Sequence, residues 1–200
     1  GFIKNKIHIF EPDKNLVKLY LKKIKKKYRF LNIYPFGLSN KNTSNNLYQA
    51  YYKNNFFHFN NSFDKKYIQN KLYENYGSIS KNFTIKSTKL NLKIFDDLKI
   101  KDEICFVKID VEGLDHLVLY GMKKLIKKSS PIILIEYNFS NFSKIFNFLR
   151  KNYDCFFFDF QKNAFIKVLA NDINKLKKEI ILEKKFKKNS VNVFFKKRVN

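Results

Sequence analysis

Residues 105–120, CFVKIDVEGLDHLVLY, decide how this chain reads. An apolar run over 106–110 passes straight into a helical pattern. Leu114, Leu117, Val118, Gly121, Met122 and Leu125 carry that pattern to about Lys128. Lys108, Asp110, Glu112 and Gly113 crowd the junction. Charges rarely interrupt an apolar run without a partner or a task. The carboxyl ends of parallel strands are also where open α/β sheets place ligands.

Working outward, residues 6–10 form a second strand of the same design, ending in Glu11, with Pro12 and Asp13 preparing a helix. Leu16, Val17, Leu19, Tyr20 and Ile24 recur at helical spacing to about Lys27. Strands are expected over 29–34, 83–89, 131–137, 155–160 and 191–196, and helices from 92 to 98, over 141–151 and over 172–178. PFGLSN at 35–40 is a turn. The strand at 106–110 has apolar neighbours expected on both faces, as parallel sheets require. Strands alternating with helices predict an α/β domain whose sheet is mostly parallel, with one antiparallel edge strand. No repeat or domain boundary is visible, so residues 1–200 read as one domain. Residues 42–82, rich in Asn, Tyr, Phe and Lys, show no clear period. This insertion reads equally as a lid or acceptor platform and as a biased surface excursion.

The composition of 41 Lys and Arg against 17 Asp and Glu gives a net charge of +24. Such a balance points to nucleic acid or an anionic surface. Against that, the lysines occur in nearly every segment rather than forming a stripe, and the enriched residues are those of A/T-rich codons. Nucleic acid is therefore not the expected partner. Cys105 and Cys155 fall inside apolar strands, where buried thiols are usual, and fit a reducing, cytoplasmic setting. No apolar run reaches the roughly 18 residues of a membrane helix.

Three strand ends carry acids: Glu11, Asp110 with Glu112, and Glu136. An acid ending a strand beside a cofactor commonly accepts from ribose hydroxyls, and it can equally serve a helix start. Strand alternation puts Lys108, Asp110 and Glu112 on one side. Lys108 there is either a structural ion pair or part of a site. Two carboxylates this close should hold one pKa high, giving a proton acceptor for an alcohol. His8, His58 and His116 lack metal-ligand spacing, so no metal site is expected.

At these residues the chain resembles the FkbM-type S-adenosylmethionine-dependent methyltransferases. The matching blocks are IHIFEPDKNL (7–16), GLSN (37–40), LKIFDDL (92–98), FVKIDVEG (106–113) and PIILIEY (131–137). The resemblance implies a Rossmann-like methyltransferase sheet and O-methylation of a hydroxyl on a sugar, glycan or other small metabolite. It implies S-adenosyl-L-methionine as cofactor, held by Glu11 with Pro12, by the turn Gly37, Leu38 and Ser39, and by Asp110. Asp110, Glu112, Lys108 and Glu136 are then the candidate catalytic residues.

The family carries a glycine-rich loop after a first, central strand. Only residues 1–5 precede the strand at 6–10 here, so the chain is expected to be an N-terminally truncated member. A non-catalytic paralogue binding RNA or an anionic polysaccharide is the alternative that the charge supports.

Overall fold

The computed structural model describes residues 6–53, 55–111, 113–137, 141–159, 162–169 and 192–199, with the backbone alone for 56–60. Between Ile94 and Phe95 the chain divides into two compact units.

In the first unit, β1 (Ile7–Phe10) runs parallel to β2 (Leu31–Tyr34), with Phe10 opposite Tyr34. The connection is helical throughout: α1 (Lys14–Leu16), a wider turn over Val17–Leu21, and α2 (Lys22–Lys27). In that wider turn the Lys22 N–H reaches back five residues to the Val17 carbonyl. Asp13 starts the helix as its N-cap, accepting from the N–H groups of Asn15 and Leu16. A second sheet has the order β3, β6, β4, β5: Gly37–Leu38, Phe83–Lys93, Thr43–Tyr52 and Asn55–Ser62. Helix α3 (Lys65–Tyr76) buries Ile68 and Leu72 against Ala50, with Tyr48, Phe83 and Ile85 packed around them. Asp64 caps its start, and Gly77, at φ 55°, ends it in a conformation that suits glycine.

The stretch 42–82 is thus a hairpin and a helix, although its sequence shows no period. Its pattern is hidden because β4 is exposed along its first four residues and buries Leu47, Gln49 and Ala50 only further on. The expected helix start at Leu92 is corrected: Leu92 and Lys93 complete β6, and only Phe95–Asp97 turns helically. Pairing with Thr43 and with Gly37 holds Leu92 extended, so tertiary pairing overrides local propensity.

The second unit is a five-stranded sheet of order β10, β9, β11, β8, β7: Ala164–Val168, Tyr153–Asp159, Asn192–Lys197, Ile132–Glu136 and Phe106–Ile109. Val107, Ile109, Ile133, Ile135, Val193 and Phe195 face the core. Helices α4 (Asp115–Tyr120) and α5 (Lys123–Ser129) stand where one helix was expected, broken at Gly121 and Met122. Helix α6 (Phe142–Leu149) buries Phe142, Ile145, Phe146 and Leu149.

The expectation of a mostly parallel sheet is corrected. Of the strand pairs, β1 with β2, β3 with β6 and β7 with β8 are parallel and the rest are antiparallel, so the sheets are mixed. The antiparallel character comes from the hairpin inside 42–82, from β10, which no sequence signal marked, and from β11, which inserts between β8 and β9. Nor is β7 apolar on both faces: Phe106 and Lys108 are exposed while Val107 and Ile109 are buried. Such alternation marks a strand packed on one side. Cys105, expected to be buried, is exposed just before β7, whereas Cys155 is buried. The helix expected over 172–178 lies outside the described residues. Among the described residues, no helix is long and apolar enough to cross a membrane.

Candidate functional site

In the first unit the candidate cofactor residues gather at the end of β1. The Glu11 N–H extends the ladder to the Tyr34 carbonyl at 3.1 Å. Its Oε1 accepts from the Asp13 N–H at 2.7 Å, so Glu11 braces the turn while Asp13 does the capping. Burial pushes the Glu11 carboxyl above its ordinary pKa, against the pull of the Asp13 N–H. A Cβ on Gly37 would stand 2.7 Å from Leu92 Cδ2 and 3.4 Å from Pro12 Cγ, so only glycine lets the 37–39 turn lie against Pro12. Ser39 is buried and donates its N–H to the Lys93 carbonyl at 2.9 Å. Glu11, Pro12, Gly37, Leu38 and Ser39 therefore occupy one neighbourhood.

Asp13 has a role that its sequence position did not announce. Its buried Oδ2 accepts from Gln49 Nε2 at 2.8 Å, and Thr88 Oγ1 donates to Gln49 Oε1 at 3.3 Å. One carboxylate thus caps the helix after β1 and ties it to the β4–β6 sheet. Gln49 sits in the biased insertion, where nothing local distinguishes it from its polar neighbours.

In the second unit, Lys108 and Asp110 form an ion pair at 3.1 Å with side chains 55% and 44% exposed. An exposed pair of this kind contributes little to stability. The sequence image of charges buried in a strand is corrected accordingly. Ile109 lies opposite Ile135 in the last pair of the ladder, and Asp110 and Glu136 are the residues that follow them. Lys108, Asp110 and Glu136 thus stand at or near the carboxyl ends of adjacent parallel strands. Glu112 lies outside the described residues.

The buried acid of this unit is Asp115. Its Oδ1 accepts from the Val111 N–H at 3.4 Å and its Oδ2 from Asn141 Nδ2 at 3.0 Å. Asn141 Nδ2 also donates to the Gly113 carbonyl at 2.8 Å. Both residues are 2% exposed, and burial drives the Asp115 carboxyl above its ordinary value, with the Asn141 bond opposing. Gly113 turns the chain at φ 93°. The loop that carries Asp110 is therefore pinned on both sides by one buried pair. Asn141 stands at the start of α6, but its side chain makes no cap hydrogen bond and turns inward instead. His116 stacks edge-on against Tyr120 and is pushed below its ordinary pKa by burial and then by Lys144, so it is a packing histidine. Among the described residues, no three His, Cys, Asp or Glu side chains gather closely enough to hold a metal ion.

Comparison with known proteins gives two matches. The chain is similar in structure to methyltransferase FkbM from Methylobacillus flagellatus KT, with a TM-score of 0.53 at 13% identity. That match covers 96% of this chain and 36% of the other, so this chain spans about a third of that protein's length. No curated protein matches the sequence. The methyltransferase FkbM domain matches residues 2–156, a stretch that holds every candidate acid described above. The chain belongs to the FkbM methyltransferase domain family.

Proposed function

We propose that this chain is an S-adenosylmethionine-dependent O-methyltransferase domain acting on a hydroxyl of a sugar, glycan or other small metabolite. The observation that carries the reading is the family match over 2–156. The residues at the end of β1 fit the cofactor. Glu11 spends one carboxylate oxygen on Asp13 and has the other to offer a ribose hydroxyl. The Gly37 to Ser39 turn lies against Pro12, beside Glu11, because Gly37 carries no Cβ. When bound, the cofactor supplies an electrophilic methyl group.

The remaining chemistry belongs to the protein. Asp110, with Glu112 and Glu136, takes the proton of the acceptor hydroxyl, and carboxylates also suit a cationic cofactor. Lys108 holds the Asp110 carboxylate in place through their ion pair. Residues 42–82 shape acceptor choice.

Calorimetric titration with S-adenosylmethionine tests the cofactor half. Binding that weakens by about tenfold in Glu11→Gln is expected, from loss of a hydrogen bond to a charged group. Methyl transfer should fall by roughly 10²–10⁴ in Asp110→Asn, with cofactor affinity kept to within a few-fold. Absence of binding, or both variants behaving as the parent does, would remove the reading.

A further inference from the structure

Arginine is almost missing from this chain: of 41 basic residues only Arg29, Arg150 and Arg198 are arginine. Two of those three line one cleft of about 430 Å³ in the second unit. Because β11 runs antiparallel to both β8 and β9, strands β7, β8 and β9 share one direction. The cleft lies at the start of β9, and therefore at the opposite end of the sheet from Asp110 and Glu136. It belongs to no site described so far.

Four cations, Arg150, Lys151, Lys167 and Arg198, line the cleft against a single carboxylate, Asp154. Asp154 is already engaged: Lys167 Nζ and Arg198 Nε each donate to it at 2.9 Å. Arg198 is fixed further, its Nη2 donating to the Arg150 carbonyl at 2.9 Å at the end of α6. The Arg198 guanidinium thus has a structural task. The Arg150 guanidinium and the Lys151 ammonium have no ion-pair partner among the described residues. Phe146 and Val168 supply an apolar wall.

Lysine serves wherever a diffuse positive charge is enough, and this chain uses it for nearly everything. A planar fork matches an oxyanion bidentately where an ammonium cannot. The volume falls within the usual range for small-molecule sites, roughly 300–1,000 Å³. We propose that this cleft binds a small molecule carrying a phosphate, sulfate or carboxylate group, clamped by Arg150 with Lys151 and Lys167, its apolar part against Phe146 and Val168. The inference is independent of the methyl-transfer reading.

The test is calorimetry at fixed ionic strength with inorganic phosphate and with phenyl phosphate. Saturable one-to-one binding is expected, tighter for phenyl phosphate because of the apolar wall. Arg150→Ser/Lys151→Ser should weaken it by about tenfold or more. Lys25→Ser/Lys26→Ser removes the same charge from exposed helix α2 and should leave affinity within about twofold. Arg150→Lys, which keeps the charge and loses the fork, should weaken binding several-fold. Arg150 and Lys151 are exposed, so folding is not at stake in these variants, and circular dichroism verifies it. Equal weakening in the two double variants would overturn the proposal, the anion then sensing only the +24 surface. So would full affinity in Arg150→Lys, or no saturable binding at all.

Discussion

Asn141 donates to the buried Asp115 carboxylate at 3.0 Å across 26 positions of sequence. That bond joins the start of α6 to the start of α4, and the same amide nitrogen holds the Gly113 carbonyl. Truncation to Asn141→Ala leaves a buried carboxylate without its side-chain donor. Stability should drop by about 2–3 kcal/mol, read as a shifted urea midpoint at unchanged slope. A double-mutant cycle with Asp115→Ala should return a coupling of about 1–2 kcal/mol. Additive losses would mean that the two residues act independently.

The same burial sets a pH dependence. Asp115 holds its proton to higher pH in the folded protein than its ordinary 3.8 allows, and Glu11 does so above its ordinary 4.5. The native state then binds more protons than the unfolded chain across those windows. Stability from these groups is full below the ordinary values and is lost as pH rises through the folded ones. His116 works in the opposite sense: its pKa is lowered from 6.5, so its contribution is present above 6.5 and lost as pH falls. Urea titrations of the parent and of Asp115→Asn isolate the first effect. The parent's advantage over Asp115→Asn should shrink as pH rises from 3.8. A constant gap would contradict the assignment.

Gly37 offers a third check. An added methyl at that position meets buried Leu92 at 2.7 Å and touches Pro12. Gly37→Ala should cost about 1–3 kcal/mol, as overpacking does. Leu92→Val should return part of that loss in the double variant, since it removes the colliding carbon. No rescue would place the strain in the backbone instead.

The two thiols should separate cleanly. Cys105 is exposed, and Cys155 is 2% exposed with its thiol driven far above the ordinary range by burial. A thiol-reactive chromophore should titrate one cysteine promptly and the second only as fast as the protein opens. Prompt reaction of both would place Cys155 at the surface.

Much of the architecture was legible where local pattern and tertiary role agree. The strand before Glu11, the Asp13 cap and the apolar strand at 132–136 each declare themselves through spacing or a capping residue. The misreadings share one cause, which is that partners far away in sequence decide the outcome. Leu92 is held extended by Thr43 and Gly37, and β11 takes up a central place in its sheet from the far end of the chain. The candidate acids were visible at strand ends. Asp115, Asn141 and Gln49, which hold the surrounding loops, were not, because a buried amide is recognised only by what it touches.

Strands β1 and β7 are each the outer strand of their sheet among the described residues. Ile7 and Phe106 on them are 48% and 50% exposed. Such edges are templates on which a strand from another molecule can add. At low ionic strength, the mutual repulsion of copies carrying +24 opposes that encounter. Raising salt toward 1 M shortens the reach of that repulsion from about 10 Å at 0.1 M to about 3 Å. The excess of lysine, whatever its codon origin, therefore opposes edge-to-edge contact between copies, and salting should promote such assembly, read as a rise in light scattering.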